Sequence, residues 1–188
     1  MQRFFQCMDE FNAVDPIGSI YEASFLEPDI RLKRKQKRLV KFIAYCLNPN
    51  HYHFLLQQIK DGGISEFMKR LAGGYTWHFN NKYHRSGSLF QGTFKAKHVD
   101  SNEYLLRLSA YVNLNHRVHK LGGETAKLSK SSWEEYAGKA SGKFCEKKII
   151  LEQFRGLGEY KEFAEGSLVD ILEKKTMDKE LNELLLEA

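Results

Sequence analysis

The feature that most limits the fold is a pair of aromatic and aliphatic runs, Phe42 to Leu47 and His51 to Ile59, parted by the tripeptide Asn48-Pro49-Asn50. Strand-like runs on either side of a turn-forming Asn/Pro cluster predict a β-hairpin. Side chains alternate along a strand, so His51, His53 and Leu55 share one face of the second run, and Tyr52, Phe54 and Leu56 share the other. Two imidazoles therefore point the same way.

Around this hairpin the pattern is helical. Phe4, Met8 and Phe11 have helical spacing before Asp15-Pro16 and Gly18, which predicts a short helix that includes Met1 and leaves no strand ahead of it. Ile64, Phe67, Met68, Leu71, Tyr75 and Phe79 predict a helix from Ile64 to about Tyr83, with Gly73-Gly74 either admitting a close neighbour or bending it. His84 to Gly92 reads as a loop and Thr93 to Val99 as a third strand. Asp100, with Glu103 three positions on, predicts an N-cap and capping box for a helix running to Gly122-Gly123. On that helix Tyr104, Leu105, Leu108, Tyr111, Val112 and Asn115 cover one arc, with Tyr111 and Asn115 one turn apart. A short helix is expected at Cys145 to Phe154, and another, rich in Glu and Leu, near the end.

Charge divides the chain of 188 residues, whose net charge is +5. Residues 60–120 hold ten Lys/Arg against four Asp/Glu and five of the seven His, whereas residues 121–188 hold eleven against fourteen. A basic, aromatic middle suits a polyanion. Composition thus separates residues 1–123, which carry the motifs, from a charged, mostly helical extension over 124–188. From Arg31 to Lys41 there are seven basic residues and no acidic one, which reads either as a solvated loop or helix end or as a phosphate-contacting arm. Cys7, Cys46 and Cys145 form no CxxC pair and read as ordinary thiols. No apolar run is long enough to span a membrane, and the opening residues lack a signal-peptide pattern. A cytoplasmic protein without a membrane partner is expected.

Two His at i and i+2 of a strand can turn ring nitrogens toward one divalent ion, although such pairs are also common as packed or surface residues. A Tyr on a helix is likewise either a core residue or a nucleophile. The order of the motifs adds information: AYCLNPNHYHFLL, a helix, SGSLFQGTFKAKHVD, then a helix bearing AYVNLNHRV. In that order the chain, over residues 3 to about 155, resembles the single-tyrosine HUH transposases of insertion sequences, in their REP-associated tyrosine transposase-like branch.

The resemblance implies roles for particular residues. His51 and His53 would be metal ligands around the bulky Tyr52, Tyr111 the nucleophile, and Asn115 a further ligand one turn beyond it. Mg²⁺ or Mn²⁺ would be the ion. LFQGTFKAK resembles the family's segment beside the DNA, which makes Gln91 and Lys95 backbone contacts. Lys33, Arg34, Lys35, Arg70, Arg85 and Lys97 could hold the strand through its phosphates, while Tyr75, Trp77 and Tyr83 offer either stacking faces or core packing.

The fold implied is α+β, an antiparallel sheet with helices on one face in a ferredoxin-like or RRM-like layout, with a helical C-terminal tail. Two departures stand out. Asn48 replaces a Met usual before the Pro-Asn of the hairpin, and the family's first strand is missing ahead of the first helix. The expected activity is nicking and strand transfer on single-stranded or hairpin DNA through a 5′-phosphotyrosine intermediate, by a monomer or a homodimer. The alternatives are a truncated, non-catalytic nucleic-acid-binding remnant and, less compatible with the motifs, a zinc-binding structural module.

Overall fold

The computed structural model describes residues 1–118, 128–139 and 144–186. It is an α+β protein whose three-stranded antiparallel sheet has the order β2-β1-β3, with β1 at Val40–Leu47, β2 at Tyr52–Gln58 and β3 at Lys130–Ser131. The predicted hairpin is present, closed by the Asn48 N–H donating to the His51 carbonyl at 2.9 Å.

The third strand lies elsewhere than expected. Thr93 to Val99 is irregular, and β3 comes from the acidic tail, pairing Cys46 with Ser131 and Leu47 with Lys130. The alternation of Thr93 to Val99 was misleading because neither of its faces carries enough apolar area to be worth burying, and even Phe94 is 41% exposed.

The chain forms two compact units. One comprises Met1–Lys41 and Leu56–Lys97, the other Phe42–Leu55 and His98–Ala188. Residue 123, where composition divides the chain, lies outside the described residues, as do Gly122 and Gly123.

In the first unit, α1 (Gln2–Glu10) packs against α4 (Gly63–Tyr83), and Phe4, Cys7, Met8, Phe67, Met68 and Leu71 are buried. Of the glycine pair, Gly74 has its explanation here, since a Cβ on it would stand 2.3 Å from the Phe11 ring, whereas a Cβ on Gly73 would meet nothing within 4 Å. After α2 (Ile20–Ser24), α3 (Pro28–Lys35) starts with Pro in its first turn and ends among Lys33, Arg34 and Lys35, where positive charge suits the helix dipole.

Much of the basic run from Arg31 is therefore structural. The Glu10 carboxylate, 1% exposed, accepts from Arg34 at 2.6 Å and from Lys35 at 2.7 Å, and it also pairs with Arg31. Asp9 pairs with Lys35 and, at 2.8 Å, with Arg38. Burial alone would raise both carboxyls, but the hydrogen bonds and charges of Lys35, with Arg31 for Glu10 and Arg38 for Asp9, hold them below the ordinary carboxylate value.

In the second unit the free edge of β1 is covered by residues far along the chain. The Ser132 N–H donates to the Tyr45 carbonyl at 2.9 Å, the Glu146 N–H to the Phe42 carbonyl at 2.8 Å, and the Tyr136 hydroxyl to the Ile43 carbonyl at 2.8 Å. Tyr136 belongs to α7 (Trp133–Tyr136). Phe42 and Tyr45 pack on Phe144.

The helix expected from Asp100 is α5 (Asn102–Asn113), and its cap is Ser101, whose Oγ accepts from the Tyr104 N–H at 3.3 Å. Asp100 and Ser101 are both capping residues, and the chain uses the later one. The helix breaks at Leu114 before a short turn, α6 (Asn115–Val118). Cys145 to Phe154 yields only α8 (Lys148–Leu151), and α9 (Leu157–Leu186) packs against α5.

Removing Glu10 would strand Arg34, 8% exposed, without its partner. Glu10→Ala is expected to cost about 3–5 kcal/mol by urea denaturation, and Glu10→Met combined with Arg34→Met much less than the two single changes together. Because the two carboxyls titrate lower folded than unfolded, their contribution is complete above about pH 4.5 and should be lost as pH falls through the depressed values. Unfolding measured from pH 6 to 3 should therefore show the Glu10→Met, Arg34→Met protein losing less stability than the parent.

Candidate active site

His51 stands at the end of the hairpin turn and His53 within β2, and the i, i+2 spacing puts their rings together, 5.3 Å between centroids. Tyr111, on α5, meets His53 edge-on at 5.5 Å between centroids. Asn115, fully buried, begins α6. Tyr111 and Asn115 are not on one unbroken helix, but the Leu114 N–H still donates to the Ala110 carbonyl at 3.0 Å, so the turn between them survives the break. The structure thus brings His51, His53, Tyr111 and Asn115 into one neighbourhood, and all four belong to the second unit.

Both ring nitrogens of His51 have polar partners. Its Nδ1 is 2.7 Å from Asn50 Oδ1, an acceptor, a contact that the tautomer with the proton on Nδ1 satisfies. In that tautomer Nε2 presents a lone pair, which accepts from Asn48 Nδ2 at 2.9 Å. The same Asn48 nitrogen donates to Asn115 Oδ1 at 2.9 Å, and Asn115 Oδ1 lies 3.3 Å from His51 Nε2. Two lone pairs converge on one positively polarised group.

That donor set fits a divalent cation. An ion bound octahedrally at about 2.1 Å keeps neighbouring donors about 3 Å apart, close to the separation of Nε2 and Oδ1. Imidazole nitrogens and an amide oxygen together suit a first-row ion such as Mn²⁺, and an amide oxygen also suits Mg²⁺. Among the described residues no cluster of three His, Cys, Asp or Glu could hold a metal. The neighbouring Cys46 thiol is pushed up to about 11 by burial and stays protonated, and the three cysteines are all buried.

What holds α5 in place was not legible in its apolar arc. The deeply buried residues of α5 include Ser109 and Asn113, both fully buried, while Tyr104, Leu105, Leu108 and Tyr111 are only partly covered. A directed chain of hydrogen bonds runs through them. The Tyr45 N–H donates to Ser132 Oγ at 2.9 Å, Ser132 Oγ to Asn113 Oδ1 at 2.5 Å, and Asn113 Nδ2 to the Tyr160 hydroxyl at 2.9 Å. Tyr160 continues to Ser109 Oγ at 3.1 Å, which donates to the Leu106 carbonyl at 2.7 Å. Only the extra Asn two positions after the tyrosine hinted at this in the sequence.

The basic residues read as DNA contacts divide into two sets, all in the first unit. Arg34 and Lys35 are engaged with Glu10 and Asp9, and Arg70 with Glu66 at 2.7 Å and the Ala13 carbonyl at 2.7 Å. Lys33, Arg85, Gln91, Lys95 and Lys97 have exposed side chains. Arg85 lies over the Phe79 ring at 5.6 Å. Of the aromatic residues, Trp77 and Tyr83 are exposed, whereas Tyr75 packs on Phe4 at 4.8 Å between centroids.

Residues 29–115 match the family model described as "Transposase IS200 like", a segment that runs from α3 to Asn115 and includes the hairpin and Tyr111. Over this segment the chain is similar to the IS200-like transposases. No curated protein and no solved structure matches the chain. No helix among the described residues is long and apolar enough to cross a membrane.

The hydrogen-bond chain yields a prediction about helix placement. Asn113→Leu removes the central link and leaves the Ser132 and Tyr160 hydroxyls without it, so a loss of about 2–4 kcal/mol is expected by urea denaturation. Tyr160→Phe, which keeps the ring, should lose less, about 1–2 kcal/mol.

Proposed function

We propose that this chain nicks single-stranded or hairpin DNA and transfers the strand through a covalent link to Tyr111. The observation that carries the reading is the neighbourhood of His51, His53, Asn115 and Tyr111 within one unit, inside the segment that matches the family model. In the reaction the Tyr111 oxygen forms a bond to the scissile phosphorus, and the bond from phosphorus to the 3′ oxygen breaks. The phenolic proton leaves to solvent or a base, and the departing 3′ oxygen takes up a proton. The products are a 5′-phosphotyrosine and a free 3′-OH, and attack by a 3′-OH reverses the step.

A phenol ordinarily loses its proton near pH 10, so a tyrosine nucleophile depends on its surroundings at neutral pH. The ring of His53, edge-on to Tyr111, restricts the phenol's orientation. With the proton on Nδ1 facing Asn50, His51 would present its Nε2 lone pair, now bonded to Asn48, as a ligand, and Asn115 offers its amide oxygen beside it. Mg²⁺ or Mn²⁺ held by His51, His53 and Asn115 would neutralise charge on the scissile phosphate and the leaving oxygen. No nucleotide cofactor is required, because the phosphotyrosine link conserves the energy of the broken bond. Lys33, Arg85, Lys95 and Lys97 supply exposed positive charge for the DNA backbone.

The test is the covalent adduct with a single-stranded hairpin oligonucleotide in Mn²⁺, followed by denaturing electrophoresis. Tyr111→Phe removes one oxygen and should lower adduct formation at least about a thousandfold while binding of the same oligonucleotide changes little. An adduct that persists in the Phe variant sinks the role of Tyr111. Binding by the wild-type chain with no adduct at any Mn²⁺ concentration would favour a DNA-binding protein without this chemistry.

A further inference from the structure

Asn48 has no part in the activity proposed above, yet it is the residue that joins the two prospective ligands. It is 7% exposed and sits at the mouth of the hairpin turn. Its Nδ2 is 2.9 Å from His51 Nε2 and 2.9 Å from Asn115 Oδ1, and those two atoms are 3.3 Å apart. The three atoms form a nearly equilateral triangle. Its sides match those of one face of an octahedron built around an ion with bonds of about 2.1 Å, whose edges are about 3 Å.

The corner occupied by Asn48 is an N–H donor, which repels a cation. A half-turn of the side-chain amide exchanges its nitrogen for its oxygen with almost no change of shape. The oxygen would then occupy the third corner of the triangle. The atom on the far side of the amide permits either orientation: Cys46 Sγ, 3.6 Å from Asn48 Oδ1, donates to an oxygen there and accepts weakly from an N–H.

We propose that Asn48 is a further ligand of the ion held by His51, His53 and Asn115, and that its amide turns over when the ion enters. In the ion-free state the NH₂ group faces inward and ties the two lone pairs together, which keeps the site assembled. In the loaded state Oδ1 faces inward. The inference rests on the reading of His51, His53 and Asn115 as ligands, and the experiment separates the two.

Mn²⁺ affinity is measured for the full chain by isothermal titration calorimetry and by the loss of the free-ion EPR signal. Asn48→Leu, close in volume but without donor or acceptor, should weaken Mn²⁺ binding by at least about tenfold, the scale on which even outer partners of metal ligands are felt. It should also melt below the wild type in EDTA, having lost the inward NH₂. Asn48→Asp, which offers only oxygen, should bind Mn²⁺ at least as tightly as the wild type while melting below it in EDTA. A Leu variant that binds as tightly as the wild type, or more tightly, overturns the ligand role of Asn48.

A measurement on the wild type needs no variant to fold. With ¹⁵N labelling, the Asn48 side-chain NH₂ protons should exchange with water faster once Mg²⁺ is added, since the turned amide gives up both inward hydrogen bonds. Unchanged exchange at saturating Mg²⁺ overturns the turnover. His51→Ala is the control for the underlying reading: if it binds Mn²⁺ as well as the wild type, the ion site itself is wrong and the role of Asn48 falls with it. If His51→Ala loses the ion and Asn48→Leu does not, only the inference about Asn48 is lost.

Discussion

A short relay of hydroxyls and one carboxamide, sealed from water, decides where the helix bearing Tyr111 can lie. The Tyr45 N–H starts it and the Leu106 carbonyl ends it, and between them Ser132, Asn113, Tyr160 and Ser109 each take one hydrogen bond and give another. Apolar packing tolerates sliding by fractions of a turn, whereas a buried polar group left unpaired costs more than its bond contributed. The relay runs from β1 through Ser132, next to β3, to α5 and α9, so it sets one register for α5 against the strand that leads into the hairpin. Two residues before and two residues after Asn113 lie Tyr111 and Asn115. Their position relative to His51 and His53 follows from that register.

The same economy governs charge. A basic balance concentrated in the chain's middle invites the reading that every Lys and Arg awaits a phosphate. Glu10 and Asp9 consume Arg34, Lys35, Arg31 and Arg38, and Arg70 turns to Glu66 and the Ala13 carbonyl. The charge left exposed is smaller than the sequence total and includes Lys33, Arg85, Lys95 and Lys97. A buried carboxylate ringed by guanidinium and ammonium groups is a structural element that net charge alone does not distinguish from a nucleic-acid footprint.

The hairpin and its paired His were legible because strand periodicity is short and the Asn-Pro-Asn turn is unambiguous. Tyr111 and Asn115 were legible from their spacing and from the order of the motifs. The third strand was not, since β3 is two residues long and Lys130 and Ser131 carry no strand signature; it exists because the edge of β1 needs partners. The burial of Ser109 and Asn113 on α5 was not legible because both are polar and belong to no hydrophobic stripe. In the sequence Asn48 stands out only as a departure in the turn, and its distances to His51 and Asn115 come from the structure alone.

Because Tyr45 and Ser132, which bond along the outer margin of β1, are separated by 87 positions in the chain, that margin cannot be finished until Ser132 has been made. During synthesis the hairpin emerges early, with its hydrogen-bonding side bare and its aromatic residues uncovered. Such an intermediate must wait through a costly loop closure, and in that interval it offers other nascent chains a template to pair with. Overproduction at lower temperature, or with chaperones that shield exposed strands, should therefore matter more for this protein's yield than for a helical protein of equal size.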